Sequence, residues 1–193
     1  MAFAGIVLAG GGARRLSGVD KPMLPIGGTP LLATALGALA GAREVVVVGP
    51  ERTGLPELPA LTWVRERPAG SGPVAALAAG LAALPAVEVT VVLAADLTGV
   101  SVSTVERLRG ALAGPDRPEG AVLVDGDGYR QWLIGAWRTG SLRAVLPADP
   151  AGASLRATLG GLSIAEVRAR QGECGDVDTP ADLDRARRGG AGY

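Results

Sequence analysis

Apolar residues along the chain fall into two patterns. Apolar-rich runs at residues 3–9, 44–48, with Val45 to Val48 continuous, and 87–95 have the length and Val/Leu content of strands covered on both faces. Shorter runs at 61–64, 121–124, 131–137 and 162–167 read as further strands. Between them lie stretches with helix-start signals. Thr29-Pro30 opens one that reaches residue 40, with the Thr as N-cap and the Pro at the first helical position. Pro73 opens a second, to residue 84. Ser101 or Ser103 caps a third, to residue 113, and Glu106 completes a capping box with Ser103. Residues 141–146 and 154–159 form short helices, and Thr179-Pro180 starts the last, with Asp182 three residues after the cap. Asp125-Gly126-Asp127-Gly128 marks a hairpin turn between two late strands. Strands alternating with helices predict a three-layer α/β/α sandwich on a Rossmann-like, mostly parallel sheet, to which the hairpin adds an antiparallel strand. Residues 1–188 read as one domain and 189–193 as a flexible tail.

Composition narrows the chemistry. The 193 residues are 48% apolar but only 3% aromatic, so the core is built mainly from Ala, Val and Leu. With 19 basic and 19 acidic residues the formal net charge is zero, which leaves no basic excess for nucleic acid. The chain has no histidine, which excludes His-based triads, dyads and metal sites. Its one cysteine, Cys174, forms no internal disulfide. The first nine residues lack a basic flank and run straight into glycines, unlike a signal peptide, and the apolar stretch 73–84 is too short to cross a bilayer. The expectation is a cytoplasmic protein with neither a membrane nor a nucleic-acid partner.

The segment Leu8-Ala9-Gly10-Gly11-Gly12-Ala13-Arg14-Arg15-Leu16-Ser17-Gly18-Val19-Asp20-Lys21 leaves the end of the first predicted strand, where open α/β sheets bind ligands. Its glycines let backbone N–H groups approach a base or a phosphate, and Arg14, Arg15 and Lys21 supply donors and positive charge for phosphate oxygens. It is not a dinucleotide fingerprint, which counted from Gly10 needs Gly or Ala where Arg15 stands. Nor is it a P-loop, because Lys21 precedes Pro22 rather than Ser or Thr. The competing reading is a glycine-rich turn with solvated arginines. Asp96 ends the run 87–95 and has two readings of equal standing: a hard oxygen ligand for Mg²⁺, or a cap on the following turn.

This loop closely resembles the signature of the molybdenum cofactor guanylyltransferases, Leu-Ala-Gly-Gly-x-x-x-Arg-Met-Gly-Gly-x-Asp-Lys, with Leu16 for the Met and Ser17 for the first of the later glycines. The wider superfamily of sugar-phosphate and cofactor nucleotidyltransferases more often has Ala where Gly10 stands, so Gly10 leans toward the guanine-using branch. The resemblance continues in order to Leu183. The segment from Glu66 to Leu77 resembles Asp-x-x-Pro-Gly-x-Gly-Pro-Leu-Ala-Gly-Leu, matching at Gly70, Gly72, Pro73 and Ala75, with Glu66 in place of the Asp. Asp96-Leu97-Thr98 stands where the family carries Asp-x-Pro. Asp176-Val177-Asp178-Thr179-Pro180 stands where it carries Asn-x-Asn-Thr-Pro, and cytidylyltransferase relatives often have Asp-x-Asp-Thr-Pro there. Asp125-Gly126-Asp127-Gly128-Tyr129-Arg130-Gln131-Trp132-Leu133 resembles Asp-Gly-x-x-x-Pro-Leu, with Trp132 for the Pro.

The resemblance implies a fold of the nucleotide-diphospho-sugar transferase type and a Mg²⁺-dependent nucleotidyltransferase that moves GMP from GTP to molybdopterin and releases pyrophosphate. It implies that Leu8, Ala9, Gly10, Gly11, Gly12 and Gly72 wrap the nucleotide, that Glu66 reads the guanine edge, and that Arg15 and Lys21 face the triphosphate as catalytic groups. Asp96 and Asp178 become the metal ligands. Arg130, Gln131, Arg156 and Asp176 are the acceptor-side candidates. A solvated hairpin tip accounts for Arg130 and Gln131 equally well, and a cap on the last helix for Asp178 or Thr179. Two other functions fit the departures from the family pattern. One is cytidylyl transfer, or nucleotidyl transfer to a sugar phosphate; the other is nucleotide binding without turnover, as a partner in molybdoenzyme assembly. For an active enzyme the expected protein contacts are transient ones with assembly proteins.

Overall fold

The computed structural model describes residues 2–10, 19–58, 60–177 and 179–189. In chain order its elements are β1 (Phe3–Leu8), a 3-10 turn (Lys21–Met23), β2 (Pro25–Ile26), β3 (Thr29–Pro30), α1 (Leu31–Ala38), β4 (Val45–Val48), β5 (Leu61–Val64), α2 (Pro73–Ala83), β6 (Val89–Ala94), α3 (Val102–Ala111), β7 (Gly120–Val124), β8 (Arg130–Arg138), α4 (Thr139–Ala144), α5 (Leu155–Leu159), β9 (Ile164–Arg168) and α6 (Pro180–Gly189). Seven of the described strands make one sheet in the order β5-β4-β1-β6-β8-β7-β9. β1, β4, β5 and β6 are parallel, β8 runs against both its neighbours, and β7 and β9 are parallel to each other. This is the mostly parallel sheet with an antiparallel strand that the run-and-helix pattern predicts.

Side chains alternate across the sheet with a period of two. On β1, Phe3 and Val7 face the layer that holds Leu32 and Leu36 of α1 and Val105 and Leu108 of α3. Ala4, Ile6 and Leu8 face the opposite layer, with Leu77 and Leu81 of α2, Leu142 of α4 and Leu159 of α5. Both faces are therefore covered, which is why the central strands read as apolar-rich runs. Small residues set the layer spacing in a core poor in aromatics. A Cβ at Gly80 would lie 2.8 Å from Ile6 Cγ2, and the buried Trp137 occupies the room left by Gly120 and Gly135.

Connectivity places the site. The chain steps from β1 outward to β4 and β5, then returns to add β6 on the other side of β1. The strand order thus switches direction between β1 and β6, and the crevice beyond their C-terminal ends is the ligand position of an open α/β sheet.

Several local expectations change. Thr29 and Pro30 do not open a helix; they pair with Ile26 and Pro25 as the small β2–β3 hairpin, and the helix begins at Leu31. The cause is Gly27-Gly28, both at positive φ, a two-residue hairpin turn that glycine takes without steric cost. The third helix is capped by Ser101, whose partner is Thr104 rather than the Ser103–Glu106 pair. Gly189, the expected start of the tail, is the last residue of α6, and residues 190–193 lie outside the described residues. Thr179 does cap α6: its N–H donates to Asp182 Oδ2 at 2.8 Å, and the Asp182 N–H returns a bond to Thr179 Oγ1 at 3.2 Å.

Candidate functional site

Strand parity selects the residues that reach the switch point. Leu8 on β1 shares the α2 face, so Gly10 follows it to that side; Val64 on β5 leads in the same way to Glu66, and Val92 on β6 leads to Asp96. These side chains converge on a cleft of about 460 Å³. Leu8, Ala94 and Leu133 form its apolar floor, Gly70, Gly72, Pro73 and Ala76 bring in the start of α2, and Glu66 and Asp96 are its two acids. Gly72 holds φ +98° immediately before the first residue of α2, a conformation that admits the sharp entry into the helix. The first turn of α2 opens on the cleft, and helix N-termini favour anions.

The two acids differ in their company. Glu66 is buried, and its Oε1 accepts the Gly70 N–H at 2.9 Å, while both its carboxylate oxygens lie close to Gly10. Asp96 accepts Lys21 Nζ on Oδ2 at 2.6 Å, in a pair that is partly open to solvent. Lys21 is the one lysine in a chain with 18 arginines. A compact ammonium on a flexible stem is thus used at this position alone.

The turn after β6 is stitched to the segment before α6. Leu97 bridges antiparallel to Asp176, and both the N–H and the hydroxyl of Thr98 donate to the Gly175 carbonyl, at 2.9 and 3.1 Å. A proline, which the resembled pattern carries at this place, has no N–H to give. The segment is anchored in turn by Glu173, whose buried carboxylate accepts from Thr104 Oγ1 at 2.7 Å, Arg107 Nη1 at 2.6 Å and the Arg170 N–H at 2.6 Å. Burial pushes the Glu173 carboxyl up, but these hydrogen bonds and the Arg107 charge outweigh it and hold the group below the usual glutamate range.

The acceptor-side candidates separate. Arg130 and Arg156 line a second cleft of about 580 Å³ with Tyr129, Trp132 and Glu166. Arg130 pairs with Glu166 at 2.8 Å and its guanidinium stands 5.8 Å from the Trp132 ring centroid. Gln131 is turned into the hairpin instead, donating to Asp125 Oδ2 at 2.6 Å. Asp176 is exposed and opposite Leu97, beside the Asp96 turn. Gly11, Gly12, Arg14, Arg15 and Asp178 lie outside the described residues.

Among the described residues no group of three or more His, Cys, Asp or Glu converges as a self-contained metal cage. Asp96 is a single carboxylate at the rim of the cleft. That arrangement fits an ion that takes one or two protein carboxylates and completes its shell from phosphates and water, as Mg²⁺ does. No described helix is long and apolar enough to cross a membrane.

Sequence reasoning passed over three features: the uniqueness of Lys21, the Thr98–Gly175 stitch, and Arg52, which binds Asp20 next to Lys21. The first was available from composition. The other two join positions 77 and 32 residues apart and have no local signal.

Comparison with known proteins bears on the family and the fold. The family described as MobA-like NTP transferase domain matches residues 5–166. The molybdenum cofactor guanylyltransferase of Rhodobacter capsulatus is 34% identical over 197 residues, covering 96% of this chain and 95% of that protein. The probable molybdenum cofactor guanylyltransferase of Mycobacterium tuberculosis is 35% identical over 142 residues, or 71% of this chain and 68% of that protein. Among solved structures, 2-C-methyl-D-erythritol 4-phosphate cytidylyltransferase from Thermus thermophilus superposes with a TM-score of 0.73 at 21% identity, covering 99% of this chain and 100% of the other. Molybdopterin-guanine dinucleotide biosynthesis protein A from Archaeoglobus fulgidus does so with a TM-score of 0.72 at 18% identity, covering 98% and 100%. At these identities the two structures establish the shared fold.

Proposed function

The chain belongs to the MobA-like NTP transferase domain family, and on that premise we propose that it transfers GMP from GTP to molybdopterin and releases pyrophosphate. The observation that carries the reading is the Lys21–Asp96 pair at the switch-point crevice, with the buried Glu66 in the same cleft. A carboxylate is acceptor-only and offers two oxygens, a match for the adjacent N–H donors on the edge of guanine. Leu8, Gly10 and Gly72 give the apolar and backbone surface on which base and phosphates would lie, and the α2 N-terminus adds partial positive charge.

In the reaction an oxygen of the acceptor's terminal phosphate attacks the α-phosphorus of GTP in line, and the bond from that phosphorus to the pyrophosphate oxygen breaks. The attacking oxygen is already anionic at neutral pH, so the chain need supply no general base. Its work is positioning and charge. Lys21 presents an ammonium to the phosphates, and Asp96 would hold Mg²⁺, which when bound supplies further neutralisation of phosphate charge. The second cleft is suited to the acceptor: Tyr129 and Trp132 offer ring faces and Arg130 and Arg156 positive charge for a planar, phosphorylated ligand.

The test is pyrophosphate release with Mg²⁺ and molybdopterin, with GTP, CTP, ATP and UTP compared in parallel. Turnover led by GTP supports the reading. Turnover led by CTP replaces it with cytidylyl transfer, which the aspartate at position 176 favours over an asparagine. Binding of GTP with no turnover on authentic acceptor replaces it with a non-catalytic role.

A further inference from the structure

Arg52 lies just beyond the end of β4 and its side chain is only 9% exposed. Its guanidinium makes four hydrogen bonds to three segments. Nε and Nη2 hold the two oxygens of Asp20, at 2.8 and 2.7 Å, as a bidentate pair. Nη2 also reaches the Ala9 carbonyl at 3.3 Å, and Nη1 the Pro50 carbonyl at 3.0 Å. One side chain thus ties together the end of β1, the end of β4, and the residue that precedes Lys21. Asp20 stands at the N-cap position of the 3-10 turn Lys21–Met23, yet its side chain makes no capping bond. Its carboxylate is committed to Arg52 instead.

The geometry is that of a strut. Lys21 has a long, flexible stem, and holding its ammonium at one point requires that its backbone be fixed. Its Nζ rests on Asp96, on the far side of the β1–β6 crevice, and the backbone that delivers it emerges from the glycine-rich connection. Planar, two-point pairing of guanidinium and carboxylate fixes direction as well as distance.

Resting on the nucleotidyl-transfer reading above, we infer that Arg52 is a positioning residue for that reaction: through Asp20 it holds the start of the turn that presents Lys21 to Asp96 and to the phosphates. Arg52 reaches the Lys21 turn through the Asp20 carboxylate, which it holds at both oxygens.

Because Lys21 is the one lysine of the chain, its state can be read chemically without turnover. The experiment is acetylation of the ligand-free protein with acetic anhydride, followed at Lys21 by mass spectrometry, in the wild type, Arg52→Gln, Asp20→Asn and the double variant. Alkylation of the partly buried Cys174 serves as the check on the fold. The expected result is Lys21 acetylated about tenfold faster than in the wild type in each single variant, no faster in the double than in either single, and Cys174 unchanged. In the pyrophosphate assay kcat should fall about tenfold while KM for GTP moves by less than about threefold, because the group displaced acts on the transition state. Wild-type acetylation rates at Lys21 in folded Asp20→Asn, whose altered carboxylate is exposed and easily tolerated, would overturn the proposal, as would an unchanged kcat. If the wild type transfers no nucleotide, the functional reading falls by itself, and the acetylation rates alone decide whether Arg52 holds Lys21 in place.

Discussion

The crevice has two lips, and each is braced by an arginine–carboxylate pair of opposite character. On the Lys21 lip the guanidinium of Arg52 is nearly buried and the Asp20 carboxylate is 51% exposed. On the Asp96 lip the Glu173 carboxylate is 6% exposed and Arg107 sits outside it. Both acids titrate below their usual range, but for different reasons. Asp20 is held down first by its hydrogen bonds from Arg52; Glu173 is held down by three donors acting against burial. The Asp20 end of the Arg52 pair is open to solvent, and a screened pair contributes on the order of 1 kcal/mol or less, so loss of the Asp20 charge should disturb direction more than stability. Removing one member of a buried, multiply bonded pair leaves stranded polar groups. The Glu173 brace is therefore part of the fold, and the Arg52 brace is part of the machinery laid on it.

The largest effects should come from the residues the two lips bring together. Lys21→Ala and Asp96→Asn are each expected to lower kcat by on the order of 100-fold or more, the usual consequence of losing a charge contact made in the transition state. Their melting temperatures should stay near that of the wild type, since the pair is partly solvated. A rate within threefold of wild type in either variant would remove that residue from the reaction.

Glu173→Gln should show the reverse: a loss of about 2 kcal/mol in unfolding free energy with a modest change in kcat per folded molecule. Its pH dependence has a definite sign. A carboxylate whose folded pKa lies below its unfolded value contributes stability that is complete above the ordinary glutamate range and disappears as pH falls through the folded pKa. Denaturation curves of wild type and Glu173→Gln should therefore differ most at neutral pH and converge in acid. Equal stability of the two proteins at pH 7 would show that the buried brace is not what holds the Asp96 lip.

A smaller effect is expected at Glu66, which belongs to neither brace. Glu66→Gln keeps the shape but exchanges one acceptor oxygen for a donor, so KM for GTP should rise about tenfold with a smaller change in kcat. A panel of the four triphosphates should show that rise concentrated on GTP. A uniform rise across all four would assign Glu66 to holding the Gly70 loop rather than to reading the base.

How much of this was legible beforehand follows from the range of the interactions. Period-two parity and the apolar runs place Leu8, Gly10 and Asp96 on one side of one sheet edge, because strand geometry carries a local pattern to a predictable position. The glycine-rich loop and the Gly-x-Gly-Pro entry to α2 were readable for the same reason. The β2–β3 hairpin was misread because a Thr-Pro helix-start signal and a Gly-Gly turn signal stand next to each other, and the turn prevails by fixing positive φ at two residues in succession. Arg52 was opaque. An arginine in a loop between two Pro/Gly-rich stretches looks solvated until the fold brings Ala9 and Asp20 around it. The same holds for Glu173, whose three donors come from α3 and from its own turn.

Thr98 sharpens the contrast between the lips most finely. The resembled pattern has proline here, and the threonine spends its N–H on Gly175, so the Asp96 turn gains a tie to the Glu173-anchored segment that a proline cannot make. Thr98→Pro removes both hydrogen bonds to Gly175 and should cost about 2 kcal/mol, or roughly 6 °C in melting temperature for a domain of this size. Thr98→Val keeps the N–H, loses only the hydroxyl bond, and should cost less. The discriminating measurement is hydrogen exchange at the Gly175 and Asp176 amides alongside the thermal scan. Faster exchange there in Thr98→Pro, with Lys21 acetylation unchanged, means that the two lips are braced independently. A proline variant as stable as the wild type would instead mean that Glu173 alone carries the segment and that the threonine tie is incidental.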